Sequence, residues 1–292
     1  MGDDSYPNKP MMQLIDGKTL AKTIRKNVKA RVKNLAKQPG LAIILVGNDP
    51  ASHVYVALKE RACKRANIHF EKYLYFATET DEEIIKKIEE LNKAENIHGI
   101  LVQLPLPNHD ENRIIAAIDP NKDVDGFHKE NLARMNEGKP SLISPVALGV
   151  NKLIDTSGRP VSGLHAVIVA SDFFAHPIAT LLNEHGITSE IAKSTDPDLT
   201  AKTKKGDILI VALGKPGLIT KEHVREGAVI IDIGTTRVDE KIVGDVDQES
   251  VSEIAGWLTP VPGGVGPMTV AMLLVNVLKA QQLQKTKKSL VM

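Results

Sequence analysis

A tyrosine and a lysine stand four residues apart in the stretch Ser52-His-Val-Tyr-Val-Ala-Leu-Lys59. If the segment is helical, Tyr55 and Lys59 leave the same face one turn from each other. An aromatic surface for a flat substrate and an amine that can carry or release a proton are then neighbours. The same spacing also describes an ordinary amphipathic helix with a solvated lysine, so the surroundings must decide. Cys63 on this segment reads as core packing rather than as a nucleophile.

The elements around this pair alternate. Gln13–Lys37 has helical character, with Leu20, Ile24, Val28 and Val32 marking one buried stripe. Leu41–Val46 is a continuous apolar run, the pattern of a strand covered on both faces. The turn-like Gly47-Asn48-Asp49-Pro50 leads into the Tyr55/Lys59 segment, helix-compatible to Ala66. His69–Phe76 predicts a second strand. Thr80–Asn92 opens with a cap and first-turn acids and predicts a helix, and Gly99–Leu104 a third strand. This order argues for parallel crossovers and an α/β fold, in which ligands collect beyond the carboxyl ends of the strands. Gln103 lies at such an end, and Lys122-Asp123-Val124-Asp125-Gly126 follows shortly after it. A strand-end amide and an Asp-x-Asp-Gly turn are ordinary features singly; with the Tyr55 helix they predict a shared site.

A second α/β unit starts near residue 150. Ala166–Ala170, Thr188–Ala192, Asp207–Leu213 and Ala228–Gly234 read as strands, and Pro177–His185 as a helix. The layout is that of a doubly wound nucleotide-binding sheet. The turn after its first strand, Ala170-Ser-Asp-Phe-Phe-Ala-His-Pro177, lacks the glycines that let a backbone approach a pyrophosphate. The dense loop Thr259-Pro-Val-Pro-Gly-Gly-Val-Gly-Pro-Met-Thr269 suits the lip of a cleft and leads into an apolar helix reaching about Gln282. That helix is expected to return to the first domain, with Lys285–Lys288 as a solvated tail.

Composition bounds the rest. The 292 residues favour two domains, 42% are hydrophobic and 25% charged, and the formal net charge is +1. That balance gives no electrostatic case for nucleic acid or an anionic membrane, and no apolar run is long enough to span a bilayer. Residues 1–10 are polar and expected to be disordered. The acidic N-terminus has no signal h-region, and the single cysteine suits a reducing compartment, so a cytoplasmic location is expected. No metal is expected.

Taken together, the chain resembles the methylenetetrahydrofolate dehydrogenase/cyclohydrolase family over almost its whole length. The resemblance is carried by Ile15-Asp-Gly-Lys18, Val46-Gly-Asn-Asp-Pro-Ala-Ser52, Tyr55-Val56 with Lys59, Val102-Gln-Leu-Pro-Leu-Pro107, Lys122-Asp-Val-Asp-Gly-Phe-His128, Val243-Gly-Asp-Val-Asp247 and the Thr259–Thr269 loop. It implies two α/β domains around a cleft: a folate-binding catalytic domain of residues 1–148 plus 270–292, and a Rossmann-like NAD(P)-binding domain of residues 149–269. It implies oxidation of 5,10-methylenetetrahydrofolate with NADP⁺, then hydrolysis to 10-formyltetrahydrofolate, in one-carbon metabolism and purine biosynthesis. Lys59 would transfer protons, Tyr55 stack on the folate, Gln103 tune Lys59 and Asp125 anchor the pterin. Val102, Leu104, Pro262, Gly263 and Gly264 would border the substrate, and Val169, Ala170, Ser171, Lys193, Ser194 and Thr235 the cofactor. The resemblance also implies a homodimer formed through the nucleotide domains.

The cofactor half departs from the family pattern. Gly-Arg-Ser is here Val169-Ala170-Ser171, and the glycine and lysine of the following Val-Gly-Lys-Pro are Ala175 and His176. Pro-Cys-Thr-Pro corresponds to Ser144-Pro-Val-Ala147, and Cys-His-Ser to Ala192-Lys193-Ser194. Losing the arginine removes the bidentate group for a 2′-phosphate, and Lys193 is the candidate substitute. Three readings follow: a bifunctional enzyme with weakened or altered NAD(P) use, a cyclohydrolase with little dehydrogenase activity, and a non-catalytic folate-binding homologue. The joint presence of Tyr55, Lys59, Gln103 and Asp125 argues against the third, because a scaffold needs no proton-transfer lysine.

Overall fold

The computed structural model describes residues 12–158 and 160–291; the polar segment 1–10 lies outside them. In chain order the elements are β1 (Gln13–Leu14), α1 (Gly17–Lys33), β2 (Gly40–Val46), α2 (Pro50–Ala66), β3 (His69–Tyr75), α3 (Asp81–Lys93), β4 (Gly99–Gln103), α4 (Glu111–Ala116), α5 (Lys129–Asn136) and α6 (Pro145–Asp155). There follow β5 (His165–Ala170), α7 (Asp172–Glu184), β6 (Thr188–Ala192), α8 (Leu199–Thr203), β7 (Ile208–Ala212), β8 (Val229–Asp232), β9 (Thr236–Val238), β10 (Lys241–Val243), α9 (Gln248–Val251), β11 (Trp257–Leu258) and α10 (Val265–Val291). The chain divides into two compact units: Thr19–Leu148 with Met268–Met292, and the described residues of Met1–Lys18 with Gly149–Pro267.

The first unit is built on a three-stranded parallel sheet, β3-β2-β4. Every residue of β2 is buried, as its unbroken apolar run requires. Burying each Leu, Ile or Val among them contributes about 1.5–3 kcal/mol. One core cluster joins Leu41, Ile43 and Leu45 to Val56 and Cys63 of α2 and to Leu273, Leu274 and Val277 of α10. The other joins Ile44 and Val46 to Ile84, Ile88, Ile100 and Val102. The final helix therefore completes the core of this unit from the far end of the chain. It also continues to Val291, past the point where the sequence pattern ends it, so Lys285–Lys288 is helical backbone.

The second unit carries a six-stranded sheet in the order β1-β11-β8-β7-β5-β6, with every neighbouring pair parallel. From β5 the chain crosses to β6 on one side and then returns to β7 on the other, so the strand order reverses between β5 and β7. Ligands of such sheets lie at this reversal. Two expectations change here. Gln13–Leu14, expected as the start of a helix, is an edge strand paired with β11 and belongs to this unit. The helix expected over Pro177–His185 starts five residues earlier, at Asp172, with Pro177 inside it. Proline removes one backbone donor within the helix, and buried Ala175, Ile178, Ala179, Leu181 and Leu182 supply the packing that holds the turn across it.

Candidate active site

The elements of the first unit aim three polar side chains at one another. Helix α2 begins where Asp49 accepts hydrogen bonds from Ser52 N (2.8 Å) and Ser52 Oγ (2.7 Å), with Pro50 at the first helical position. An N-cap of this kind contributes about 1 kcal/mol. It fixes the phase of the helix, so that Lys59 faces inward and is buried. Across from it, β4 ends at Gln103, which stands opposite Leu45 of β2. The Lys59 ammonium donates to Gln103 Oε1 at 2.8 Å, while Gln103 Nε2 donates to the Leu104 carbonyl at 2.9 Å. The second bond orients the amide, so an oxygen and not an NH₂ meets the lysine.

The Asp-Val-Asp-Gly turn runs beside β4, tied to it by Ile100 N donating to Lys122 O at 2.7 Å. Asn276 of α10 donates to the carbonyls of both Val124 (2.8 Å) and Ile143 (2.7 Å) and locks the turn. The two aspartates do different work. Buried Asp123 accepts from Gly126 N (3.0 Å), His128 N (2.8 Å) and Asn131 Nδ2 (3.0 Å) and is consumed by the fold. Asp125 is half-buried and makes no hydrogen bond or ion pair among the described residues. Gly126 sits at φ +74°, and a Cβ there would lie 2.5 Å from Ser144 N, so the turn requires glycine.

Electrostatics follow from burial. Desolvation holds the Lys59 ammonium below the usual lysine range, opposed by the nearby Asp125 charge. Burial pushes Asp125 up to about 6 even though Lys59 pulls it down. Cys63, in the apolar core beside Lys59, is pushed up to about 12, which leaves it an inert thiol as its sequence context implied. Tyr55 is half-buried on the same helix, one turn before Lys59. Val102 points into the core cluster, so only its backbone could meet a ligand; Leu104 is half-buried.

The remaining candidates lie in the second unit. Pro262, Gly263 and Gly264 form its Pro/Gly loop, closed by Gly264 N donating to Pro260 O at 2.7 Å. This loop packs on the Ile15-Asp-Gly-Lys motif: a Cβ on Gly17 would fall 2.1 Å from the Gly264 carbonyl oxygen. At the strand reversal, Val169 and Ala170 are both buried in β5. The side chains that replace glycine and arginine thus fill the core instead of obstructing the end of the sheet. Ser171 precedes the 13-residue helix α7, and its hydroxyl makes no cap bond to the first turn. Lys193 Nζ reaches over this turn, 3.3 Å from Ala170 O, and Ser194 and Thr235 stand after β6 and β8. A helix N-terminus with an ammonium beside it fits the phosphates of a dinucleotide.

Sequence reasoning missed the groups that brace this end of the sheet. Asp245 accepts from Leu213 N (2.6 Å), Gly214 N (3.1 Å) and Lys215 N (2.7 Å), pinning the loop after β7. Asp232 accepts from Gly234 N, Asp245 N and Val246 N, yet burial still pushes it up to about 6. The available signal was the Val-Gly-Asp-Val-Asp stretch, whose aspartates had no role beyond matching a pattern.

A Rossmann-like unit, joined in one chain to an α/β unit with a buried lysine, an oriented amide and an unengaged carboxylate, defines an enzyme of the dinucleotide-dependent α/β class. Sequence profiles agree: residues 15–125 match the tetrahydrofolate dehydrogenase/cyclohydrolase catalytic domain and residues 144–285 the NAD(P)-binding domain of the same family. The chain belongs to the tetrahydrofolate dehydrogenase/cyclohydrolase family. It is 48% identical over 280 residues to the bifunctional protein FolD of a Nitratiruptor species, covering 94% of this chain and 99% of that one. Among solved structures it resembles the bifunctional FolD methylenetetrahydrofolate dehydrogenase/cyclohydrolase of Campylobacter jejuni, with TM-score 0.89, 39% identity and coverage of 94% and 99%. It is equally similar in fold (TM-score 0.89, 33% identity, the same coverage) to the Trypanosoma brucei enzyme solved with NADP and an inhibitor.

Proposed function

We propose that the chain oxidises 5,10-methylenetetrahydrofolate to the methenyl cation and hydrolyses that cation to 10-formyltetrahydrofolate. The observation that carries the proposal is the 2.8 Å contact between buried Lys59 and an oriented Gln103 in a chain of this family. NADP⁺, when bound, accepts the hydride; the residues over which it would lie are Ser171, Lys193, Ser194 and Thr235, with Val169 and Ala170 beneath them. Lys59 moves the protons of the hydrolytic step. Burial lowers its pKa and so favours the neutral amine relative to a solvated lysine, and a methenyl cation beside it would lower the pKa further. Gln103 holds the ammonium in place by accepting from it. Asp125, with its acceptor oxygens unengaged, takes the donor-rich edge of the pterin, and Tyr55 lies along its ring.

The alternatives are not favoured: relatives matched along nearly their whole length are bifunctional, and the buried Val169 and Ala170 remove the steric objection to a dinucleotide. A homodimer through the second units, a cytoplasmic location and a supply of one-carbon units to purine biosynthesis belong to the same proposal, supported by family membership. No described helix is long and apolar enough to cross a membrane. The test is Lys59→Met, which keeps the apolar stem and removes the amine. We expect methenyl hydrolysis to fall by at least about a hundredfold with circular dichroism and melting unchanged. Hydrolysis at the wild-type rate would remove Lys59 from the mechanism.

A further inference from the structure

We propose that this chain selects a dinucleotide bearing a 2′-phosphate through Lys193 and Lys215, and that Asp172 is an internal anion from which the phosphate must take Lys193. The inference rests on the dinucleotide-dependent reading above and names the groups that choose the cofactor.

In a doubly wound sheet the adenosine ribose lies beyond the second strand of the first βαβ unit, where a carboxylate selects the unphosphorylated sugar and a cation the phosphorylated one. Strand β6 ends in Ala192-Lys193-Ser194, with no carboxylate at that place. The acid nearest in the loop, Asp196, is already engaged, accepting from Lys193 N (3.1 Å) and from Lys202 Nζ (2.8 Å). Lys193 Nζ turns instead toward the β5–α7 turn, 2.5 Å from Asp172 Oδ1 and 3.3 Å from Ala170 O. That carbonyl belongs to the residue at which family members root their arginine, so the ammonium occupies its neighbourhood from a different strand. From the other side, Lys215 Nζ donates to Ser194 Oγ at 3.1 Å. Its backbone is held by Asp245 in the loop after β7. Two ammonium groups and a hydroxyl, from the segments after β6 and after β7, converge on the end of β6.

Asp172 is exposed, and its hydrogen bond to Lys193 holds its carboxyl below the usual carboxylate range, with His176 one turn further along α7 adding to the effect. A phosphate monoester carries more charge and more acceptor oxygens than one carboxylate, so it can displace Asp172 from the lysine. The displaced carboxylate nevertheless competes. The arrangement therefore retains preference for the 2′-phosphate without a guanidinium, in weakened form, because ammonium groups bind phosphate as point charges.

The test is calorimetric titration of the full-length protein with NADP⁺, NAD⁺, 2′,5′-ADP and 5′-AMP. The wild type should bind NADP⁺ and 2′,5′-ADP at least about tenfold more tightly than the unphosphorylated counterparts. Lys193→Ala should weaken the two phosphorylated ligands by roughly 10- to 100-fold, the loss of one charge-assisted contact, and change NAD⁺ and 5′-AMP by less than about twofold. Lys193→Arg should keep the preference, and Asp172→Asn should strengthen NADP⁺ several-fold while leaving NAD⁺ unchanged. Equal binding of 2′,5′-ADP and 5′-AMP by the wild type, or a Lys193→Ala variant that weakens both dinucleotides alike, overturns the assignment. If NAD⁺ and NADP⁺ support equal binding and turnover, the selector is wrong and the dehydrogenase reading stands. If the selector behaves as described but no hydride transfer to bound NADP⁺ occurs, the dehydrogenase reading fails alone.

Discussion

Replacing Gln103 by leucine should move the pH dependence of methenyl hydrolysis toward acid by about one to two units. The side chain keeps its approximate volume and loses the oxygen that accepts from Lys59 at 2.8 Å. No other hydrogen-bond acceptor reaches the Lys59 ammonium among the described residues. A hydrogen bond to a charged group is worth about 1.5–3 kcal/mol, and its loss falls on the protonated form only. One pKa unit corresponds to about 1.4 kcal/mol, so the lysine pKa, already lowered by burial, should drop by about one to two units more. The direction does not depend on which protonation state performs the chemistry. If the neutral amine is the base, the rising limb of the profile moves to lower pH; if the ammonium is the acid, the falling limb does. The measurement is the loss of methenyl absorbance across pH, with the lysine titrated independently by NMR on ¹³C-labelled protein. A profile that keeps its limbs while the overall rate falls would show that Gln103 does not tune Lys59, and the argument from the oriented amide would be refuted.

Other expectations follow from the same geometry. Asp125 has a folded pKa of about 6 against an ordinary value of 3.8, so ionisation opposes folding. The cost is full above about pH 6 and disappears as pH falls toward the unfolded value. Asp125→Asn should therefore raise stability by about 1–3 kcal/mol at about pH 8, after discounting for partial exposure, with no gain near about pH 3.5. Urea melts at both values decide it, and an equal gain at both would count against the cause given. The same variant should lose folate affinity, because the acceptor for the pterin edge is gone. Gly17→Ala would place its Cβ 2.1 Å from a backbone oxygen of Gly264, an overpacking that costs about 1–3 kcal/mol. A melting temperature unchanged from the wild type would mean that the Pro/Gly loop is not braced as described.

Much of this was legible because strong local signals agree with the fold. The apolar runs of β2, β4, β5, β7 and β8 and the capped helix α3 lie within a residue or two of their expected places. Lys59 and Gln103 were legible because a helix phase and a strand end are local properties. Strand β1 was not, since two residues become a strand only by pairing with β11 at the far end of the chain. Nor was the start of α7: a proline ordinarily marks a helix boundary, whereas here the packing of the residues after it carries the helix through. Spacing could not tell Asp123 from Asp125 either. Their difference lies in the backbone N–H groups of Gly126 and His128, which one carboxylate captures and the other does not. The altered cofactor loop was visible as a substitution, but its consequence depends on which way two side chains point, and both point into the core.

In the function proposed above the two units put lysine to opposite uses. As proposed, Lys59 would work by being out of water, with a desolvated amine, one acceptor in Gln103 and one nearby carboxylate on a turn that Asp123 and Asn276 hold. Removing the acceptor leaves the buried ammonium without its hydrogen bond, a loss of about 1.5–3 kcal/mol. Lys193 is half-buried and Lys215 exposed, both on loops, and in the proposed role each would meet phosphate as a point charge. A phosphate can be met by an arginine from one strand end or by two lysines from its neighbours at similar cost to the fold. A loop at the end of a sheet can thus change its residues while the ligand chemistry proposed for it persists, whereas a buried amine has only the one acceptor that its helix and strand bring to it.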